Sequence, residues 1–263
     1  TPLTSAELST LSSFTNWDFT DTWNIFNEQT YPFLRVFSDD SIPGLRMFLG
    51  GAGTSGDPYE ITTSISLSFV REFPTAYFVL MNDLDLSDDT NTSGGHFWNE
   101  GSGWEPIGST ASPFSGNFNG QGYTISGLFI DRSAEDDIGL FGAIEGPATL
   151  QDLQLEDVEI NGGSSVGSMV GNNDGGDIVV CSSTGNVSGG SSTGGLVGSN
   201  SGMIMESFSS VVVVGGNSTG GFAGYNDGSI TLSYAAGEVT GADNTGGFVG
   251  ENGGSLTKRF SRD

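Results

Sequence analysis

Few residues in the chain are equipped for chemistry, and most of those lie between positions 82 and 137. Asp83 and Asp85 alternate within Asn82-Asp-Leu-Asp-Leu86, and on a strand this spacing turns both carboxylates to one face. Two carboxylates placed this way suit acid–base work or a Ca2+ site. His96, the single histidine, lies in Gly94-Gly-His-Phe-Trp98, with Trp104 close behind. An imidazole beside two indoles in a polar loop fits a sugar-binding cleft; the same aromatics also serve to pin such a loop to the body of a fold. Asp88-Asp89 and Asp136-Asp137 are candidate Ca2+ pairs, although neither has EF-hand or calcium-nonapeptide spacing. The lone Cys181 allows no internal disulfide and no cysteine-based zinc site. With one histidine there is no multi-histidine metal centre. A nucleophile–base pair built on Cys181 lacks its imidazole, and G-x-S-x-G, H-E-x-x-H and phosphate-binding loops are absent. No cofactor is expected beyond Ca2+ at an aspartate pair.

The elements that must position these residues belong to an unusual composition. Of 263 residues, 43 are glycine, about twice the usual share. There is no G-X-Y period, and the apolar fraction of 35% is too high for a disordered chain. Lys and Arg number 7 against 32 Asp and Glu, a formal charge of −25. Such a surface repels phosphate backbones and anionic lipid, which excludes nucleic acid as a partner. No apolar run of 18 residues occurs, so no membrane insertion is expected. Between Arg132 and Lys258 there are fifteen acidic residues and no Lys or Arg. That imbalance suits surroundings rich in cations, or is a solubility device for a repetitive β protein. The chain opens at Thr1 without Met or a signal pattern, the expectation for a mature or excised piece of a longer protein.

Internal repeats dominate the second half. The blocks Ile138-Gly-Leu-Phe-Gly142, Val166-Gly-Ser-Met-Val-Gly171, Thr193-Gly-Gly-Leu-Val-Gly198, Thr219-Gly-Gly-Phe-Ala-Gly224 and Thr245-Gly-Gly-Phe-Val-Gly250 end at glycines spaced 29, 27, 26 and 26 apart. After each of the last four comes G-x-N-x-G, which puts Asn173, Asn200, Asn226 and Asn252 in one column. Further columns hold Ile178, Ile204, Ile230 and Leu256, then Ser182, Phe208, Tyr234 and Phe260, then Val187, Val213 and Val239. Helical repeats need 30 or more residues rich in Ala, Leu, Glu and Lys, whereas Gly and β-branched residues fill these. The period predicts an all-β parallel solenoid, one coil per repeat, with three short strands and three corners per coil and successive coils about 4.8 Å apart. Glycines let successive backbones approach and supply positive φ, the asparagines form an amide ladder, and the apolar and aromatic columns point inward. Cys181, aligned with Ser207 and Ser233, is a small spacer. Upstream, residues 1–49 are a separate N-terminal segment, Gly50–Gly56 a flexible break, 58–86 strands, 87–103 a polar loop, and 104–130 short strands. In 148–160, Leu150, Leu153, Leu155, Val158 and Ile160 alternate as inward positions.

These motifs resemble those of the GLUG-motif family of bacterial surface and secreted proteins. The family's G-L-[V/F]-G block is similar to Gly139-Leu-Phe-Gly142, Gly195-Leu-Val-Gly198, Gly221-Phe-Ala-Gly224 and Gly247-Phe-Val-Gly250. Upstream, Pro58-Tyr-Glu-Ile61, Asn82-Asp-Leu-Asp-Leu86, Trp104-Glu-Pro-Ile-Gly108 and Phe114-Ser-Gly-Asn-Phe-Asn-Gly120 resemble its module-opening pattern. The resemblance implies a right-handed parallel β-helix, three-sided, over 50–263, regular from 137, with 1–49 similar to the closing element of a preceding module. Gly167-Ser-Met-Val-Gly171, Ser182 and the basic Lys258–Asp263 tail depart from the pattern. The implied function is a non-catalytic, extracellular or cell-surface adhesin-like module, a stalk or a surface that binds a glycan or another cell-surface partner. Its exposed last coil, Gly250 to Asp263, is expected to associate end to end. The alternative is a carbohydrate-active enzyme, a polysaccharide lyase or glycoside hydrolase working through residues 82–105.

Overall fold

A computed structural model describes residues 47–257 and the backbone of two short strands before them. The chain divides into two compact units, Thr1–Leu49 and Gly50–Asp263. In the first, strands Trp23–Asn24 and Phe33–Leu34 pair antiparallel; the rest of the proposed closing element lies outside the described residues, as do Phe260 and the basic tail.

The second unit is a parallel β-solenoid of about 5 turns with about 26 residues per turn. Its first sheet stacks eight strands from Tyr59–Ile61 to Ser255–Thr257, its second runs from Leu84–Asp85 to Tyr234–Ala235, and its third from Phe141–Glu145 to Val249–Asn252. A fourth, narrow ladder joins Thr193–Gly194, Thr219–Gly220 and Thr245–Gly246. Registers repeat the sequence period: Ile178, Ile204, Ile230 and Leu256 pair in line, as do Val187, Val213 and Val239. Leu150, Leu153, Leu155, Val158 and Ile160 are buried. Among the described residues no helix is long and apolar enough to cross a membrane.

Two corners in each regular coil are made by non-glycine residues in the left-handed region. Ser165, Ser192, Ser218 and Asn244 hold one (φ 54 to 55°), and Val180, Glu206 and Leu232 the other (φ 52 to 55°). Val180 there is notable, because β-branched side chains rarely tolerate this conformation. The block glycines do a different job. A Cβ on Gly198, Gly224 or Gly250 would run into the backbone at Ser165, Ser192 or Ser218, the left-handed corner residue one coil back. They are needed for close approach between coils, while non-glycine residues supply the positive φ at these corners.

The second corner also overturns the aromatic column. Ser209, Val211 and Val213 point inward, so by alternation Phe208 points outward; it is half-buried, and Tyr234 is 56% exposed. The left-handed residue at Glu206 resets the inward phase after Ile204, which counting four residues onward cannot detect. Phe208 and Tyr234 stack on the outer surface, centroids 5.3 Å apart and planes 5° from parallel. The first half departs from the expected strands as well. Ser64–Ser68 is a one-turn α-helix capped by Thr63, followed by a 3-10 turn, Phe69–Glu72. Leu67 and Val70 on these turns are fully buried. A further short helix, Ser87–Asn91, interrupts the polar loop. The Gly50–Gly56 break is a folded turn in which Thr54 and Asp57 exchange backbone hydrogen bonds.

Candidate functional site

Asp83 and Asp85 flank buried Leu84 and both carboxylates are exposed, but each is occupied locally. Asp83 Oδ1 accepts the backbone N–H of Thr124 in the next coil at 2.9 Å. Asp85 Oδ1 accepts both the hydroxyl (2.6 Å) and the N–H (2.9 Å) of Ser87, which lowers its pKa. A carboxylate held ionised by donors, as Asp85 is, is poorly suited to act as a general acid; Asp83 ties its strand to the next coil and Asp85 closes a local turn at Ser87.

Around His96 the geometry is more suggestive. Asp89 accepts the Ser64 hydroxyl on one oxygen and faces His96 Nδ1 at 2.9 Å on the other. Burial pushes the Asp89 pKa up, but these hydrogen bonds and the imidazole outweigh it and the net shift is downward. The three residue types of a hydrolytic triad are present in the wrong order. Nucleophile activation requires the imidazole between hydroxyl and carboxylate, whereas here the carboxylate lies between the other two. The trio clamps the helix at 87–91 to the helix at 64–68.

Trp104 is not part of a cleft. It is fully buried, its Nε1 donating to Leu140 O at 3.4 Å, with Phe97 packed edge-on at 5.1 Å. The Arg71 guanidinium lies 5.1 Å over its ring, and Arg132 Nε donates to its carbonyl. Arg71 and Arg132 are the only Lys or Arg among the described residues, and both are bound to this one core residue. Trp98 is half-buried. The expected indole pair around His96 is thereby split between core and surface.

The metal candidates also disperse. Asp88 is exposed, Asp89 is engaged as above, Asp136 Oδ1 caps the N–H of Ser164 at 2.7 Å, and Asp137 accepts the Thr110 hydroxyl. No three His, Cys, Asp or Glu side chains converge among the described residues. Cys181 is buried and its thiol pKa is pushed up to about 12 by burial, so it is inert as a nucleophile.

The repeated polar residues are occupied between coils. Asn173 Nδ2 donates to Asn200 Oδ1 (2.8 Å), Asn200 to Asn226 (2.7 Å) and Asn226 to Asn252 (2.7 Å). Each amide also donates to the glycine carbonyl of its own turn, Gly176, Gly202, Gly228 or Gly254. A second ladder uses the small column: Ser207 Oγ accepts the Cys181 N–H, and Ser233 Oγ the Ser207 N–H.

One surface feature escaped sequence reasoning. A shallow groove of about 390 Å3 crosses the outer face of the second sheet, lined by Phe129, Asp131, Glu159, Asn186, Val212 and Val214 among others. The available signal was Val211–Val214: a strand with one buried face needs only alternate apolar residues, so the unbroken valine run left Val212 (42%) and Val214 (48%) exposed.

No family model matches the chain. It is 34% identical over 148 residues to halomucin of Haloquadratum walsbyi and 38% identical over 134 residues to a candidate Gly-rich membrane protein of Evansella cellulosilytica. These matches cover 54% and 49% of this chain but only 2% and 15% of the relatives. A crystal structure of a candidate immunoglobulin A1 protease from Bacteroides ovatus superposes with a TM-score of 0.63 at 22% identity, over 83% of this chain and 70% of that one. At that identity the likeness is one of fold: the chain shares a parallel β-solenoid architecture with it.

Proposed function

We propose that this chain is a non-catalytic solenoid module of a surface or secreted protein of the GLUG-motif type, acting as a stalk that displays a binding face. One observation carries the reading: among the described residues, the asparagine ladder and the corner threonines that recur from coil to coil are bonded to the next coil or to their own corner rather than turned toward a substrate. The candidate acids support it, since Asp83, Asp85 and Asp89 each hold local structure together. The names of the two relatives, halomucin and a Gly-rich membrane protein, favour a location at or outside the cell surface. The partner is a glycan or cell-surface molecule without strong negative charge, because a chain of charge −25 repels polyanions.

The test is a screen of purified protein against neutral and acidic polysaccharides, reading reducing ends and unsaturated-uronate absorbance, beside a glycan-array binding assay. Binding without turnover is the expected result. Turnover abolished by Asp83→Asn would replace this reading with that of a polysaccharide-degrading enzyme.

A further inference from the structure

Three asparagines stand in N-x-[S/T] context: Asn91-Thr-Ser93, Asn186-Val-Ser188 and Asn217-Ser-Thr219. This is the acceptor signature for N-linked glycans in secreted proteins. All three side chains are exposed. The other asparagines show what structural duty looks like in this fold. Asn173, Asn200 and Asn226 are fully buried in the ladder, and Asn82, Asn99 and Asn161 tie down loops and strands through their amides. None of the three acceptor amides makes a hydrogen bond within the described residues.

They also gather on one side of the solenoid. Asn91 ends the helix Ser87–Asn91, which packs on strand Phe129–Arg132 through Thr90, whose hydroxyl accepts the Phe129 N–H. From that strand the register passes Phe129 to Glu159 to Asn186 to Val212, across the groove floor. Asn217 follows three residues after Val214, at the exposed corner of the next coil. The groove holds Val212 and Val214 open to solvent, apolar surface that nothing among the described residues covers, directly beside Asn186.

We propose that Asn91, Asn186 and Asn217 are N-glycosylation sites, and that the glycan on Asn186 lies in the groove and covers Val212 and Val214. The inference rests on the surface or secreted location argued above. In the transfer, Asn Nδ2 forms a bond to the anomeric carbon of a sugar carried on a polyprenyl phosphate. The bond from that carbon to the phosphate oxygen breaks, the carrier leaves with the electron pair, and one amide proton passes to a base of the transferase. Val187 and Thr219 are buried once the coils close, so transfer at Asn186 and Asn217 precedes folding, whereas Asn91, Thr92 and Ser93 stay exposed afterwards.

The experiment secretes the full chain, behind an export signal, from a host that carries an oligosaccharyltransferase, together with a reporter of known acceptor sequence. Glycopeptide mass spectrometry should find all three asparagines modified. Ser93→Ala, Ser188→Ala and Asn217→Gln should each remove one glycan mass, and Ser188→Ala, which keeps Asn186, should raise fluorescence of a dye that binds apolar surface. Unmodified Asn186 and Asn217 beside a modified reporter would overturn the proposal while leaving the surface reading intact; modification of Asn91 alone would do the same. Enzymatic turnover in the polysaccharide screen would instead remove the functional reading without touching the glycan sites.

Discussion

In the first sheet a single register column runs through Tyr59, Phe78, Phe118, Leu150, Ile178, Ile204, Ile230 and Leu256. Its early members belong to an aromatic cluster in which Phe114 and Phe141 lie 5.1 Å apart and Phe118 meets Phe141 edge-on at 5.7 Å. Its later members are aliphatic, and the amide ladder runs beside them. Where the ladder stops, Asn173 pairs in register with Ile144. One architecture is thus filled in two ways. Interlocking aromatics suit early coils of unequal length, whereas identical coils repeat one residue per column and add hydrogen bonds that only exact repetition allows.

The sharpest test truncates each kind of core. Phe118→Ala should cost about 3–5 kcal/mol and Ile204→Val about 0.5–1.5 kcal/mol in urea unfolding; equal costs would erase the distinction. Next is the ladder, where Asn200→Ala should cost about 1–3 kcal/mol by leaving buried partners unsatisfied. The Asn200/Asn226 double variant should cost less than the sum of the singles, and simple additivity would mean that the amides act alone. The outward pair comes third: Phe208→Ala should cost only about 0.5–1.5 kcal/mol, the scale of an aromatic contact, and a loss of core size would return Phe208 to the interior. Fourth, the melting temperature should rise between 10 mM and 1 M NaCl as the Debye length shrinks from about 30 to about 3 Å. Millimolar CaCl2 should add a further rise only if an aspartate pair binds the ion. A melting temperature indifferent to salt would remove charge repulsion as a brake on coil stacking. Smallest is the effect of Asp89. Its carboxyl is shifted down, so its contribution is present above the ordinary carboxylate pKa and fades as pH falls through the lowered one. Asp89→Asn should flatten the acid limb of the stability–pH curve slightly, and an unchanged limb would deny the clamp at Ser64 and His96.

The period of 26, read from glycines and asparagines, carried the solenoid and the ladder, because a parallel stack places equal residues in contact and little else meets that condition. The side on which Phe208 lies was hidden, since one left-handed residue at Glu206 reverses inside and outside without any change in residue type. Trp104 anchors its loop in the core rather than lining a cleft, and residue types alone could not choose between these, because the partners that bury it, Arg71 and Leu140, are more than thirty residues away in either direction. The groove was unreadable because it joins four coils, and no single segment shows its shape.

The fixed register from Gly198 onward makes the molecule a ruler with graduations. Each coil adds about 4.8 Å of height, and duplication or loss of a whole 26-residue unit preserves every ladder contact on both sides of the cut. A gain of half a unit would set asparagine against valine and break both ladders at once. Length in such a protein changes in whole steps, so slippage between repeats during replication can lengthen or shorten its reach without passing through an unfolded intermediate form.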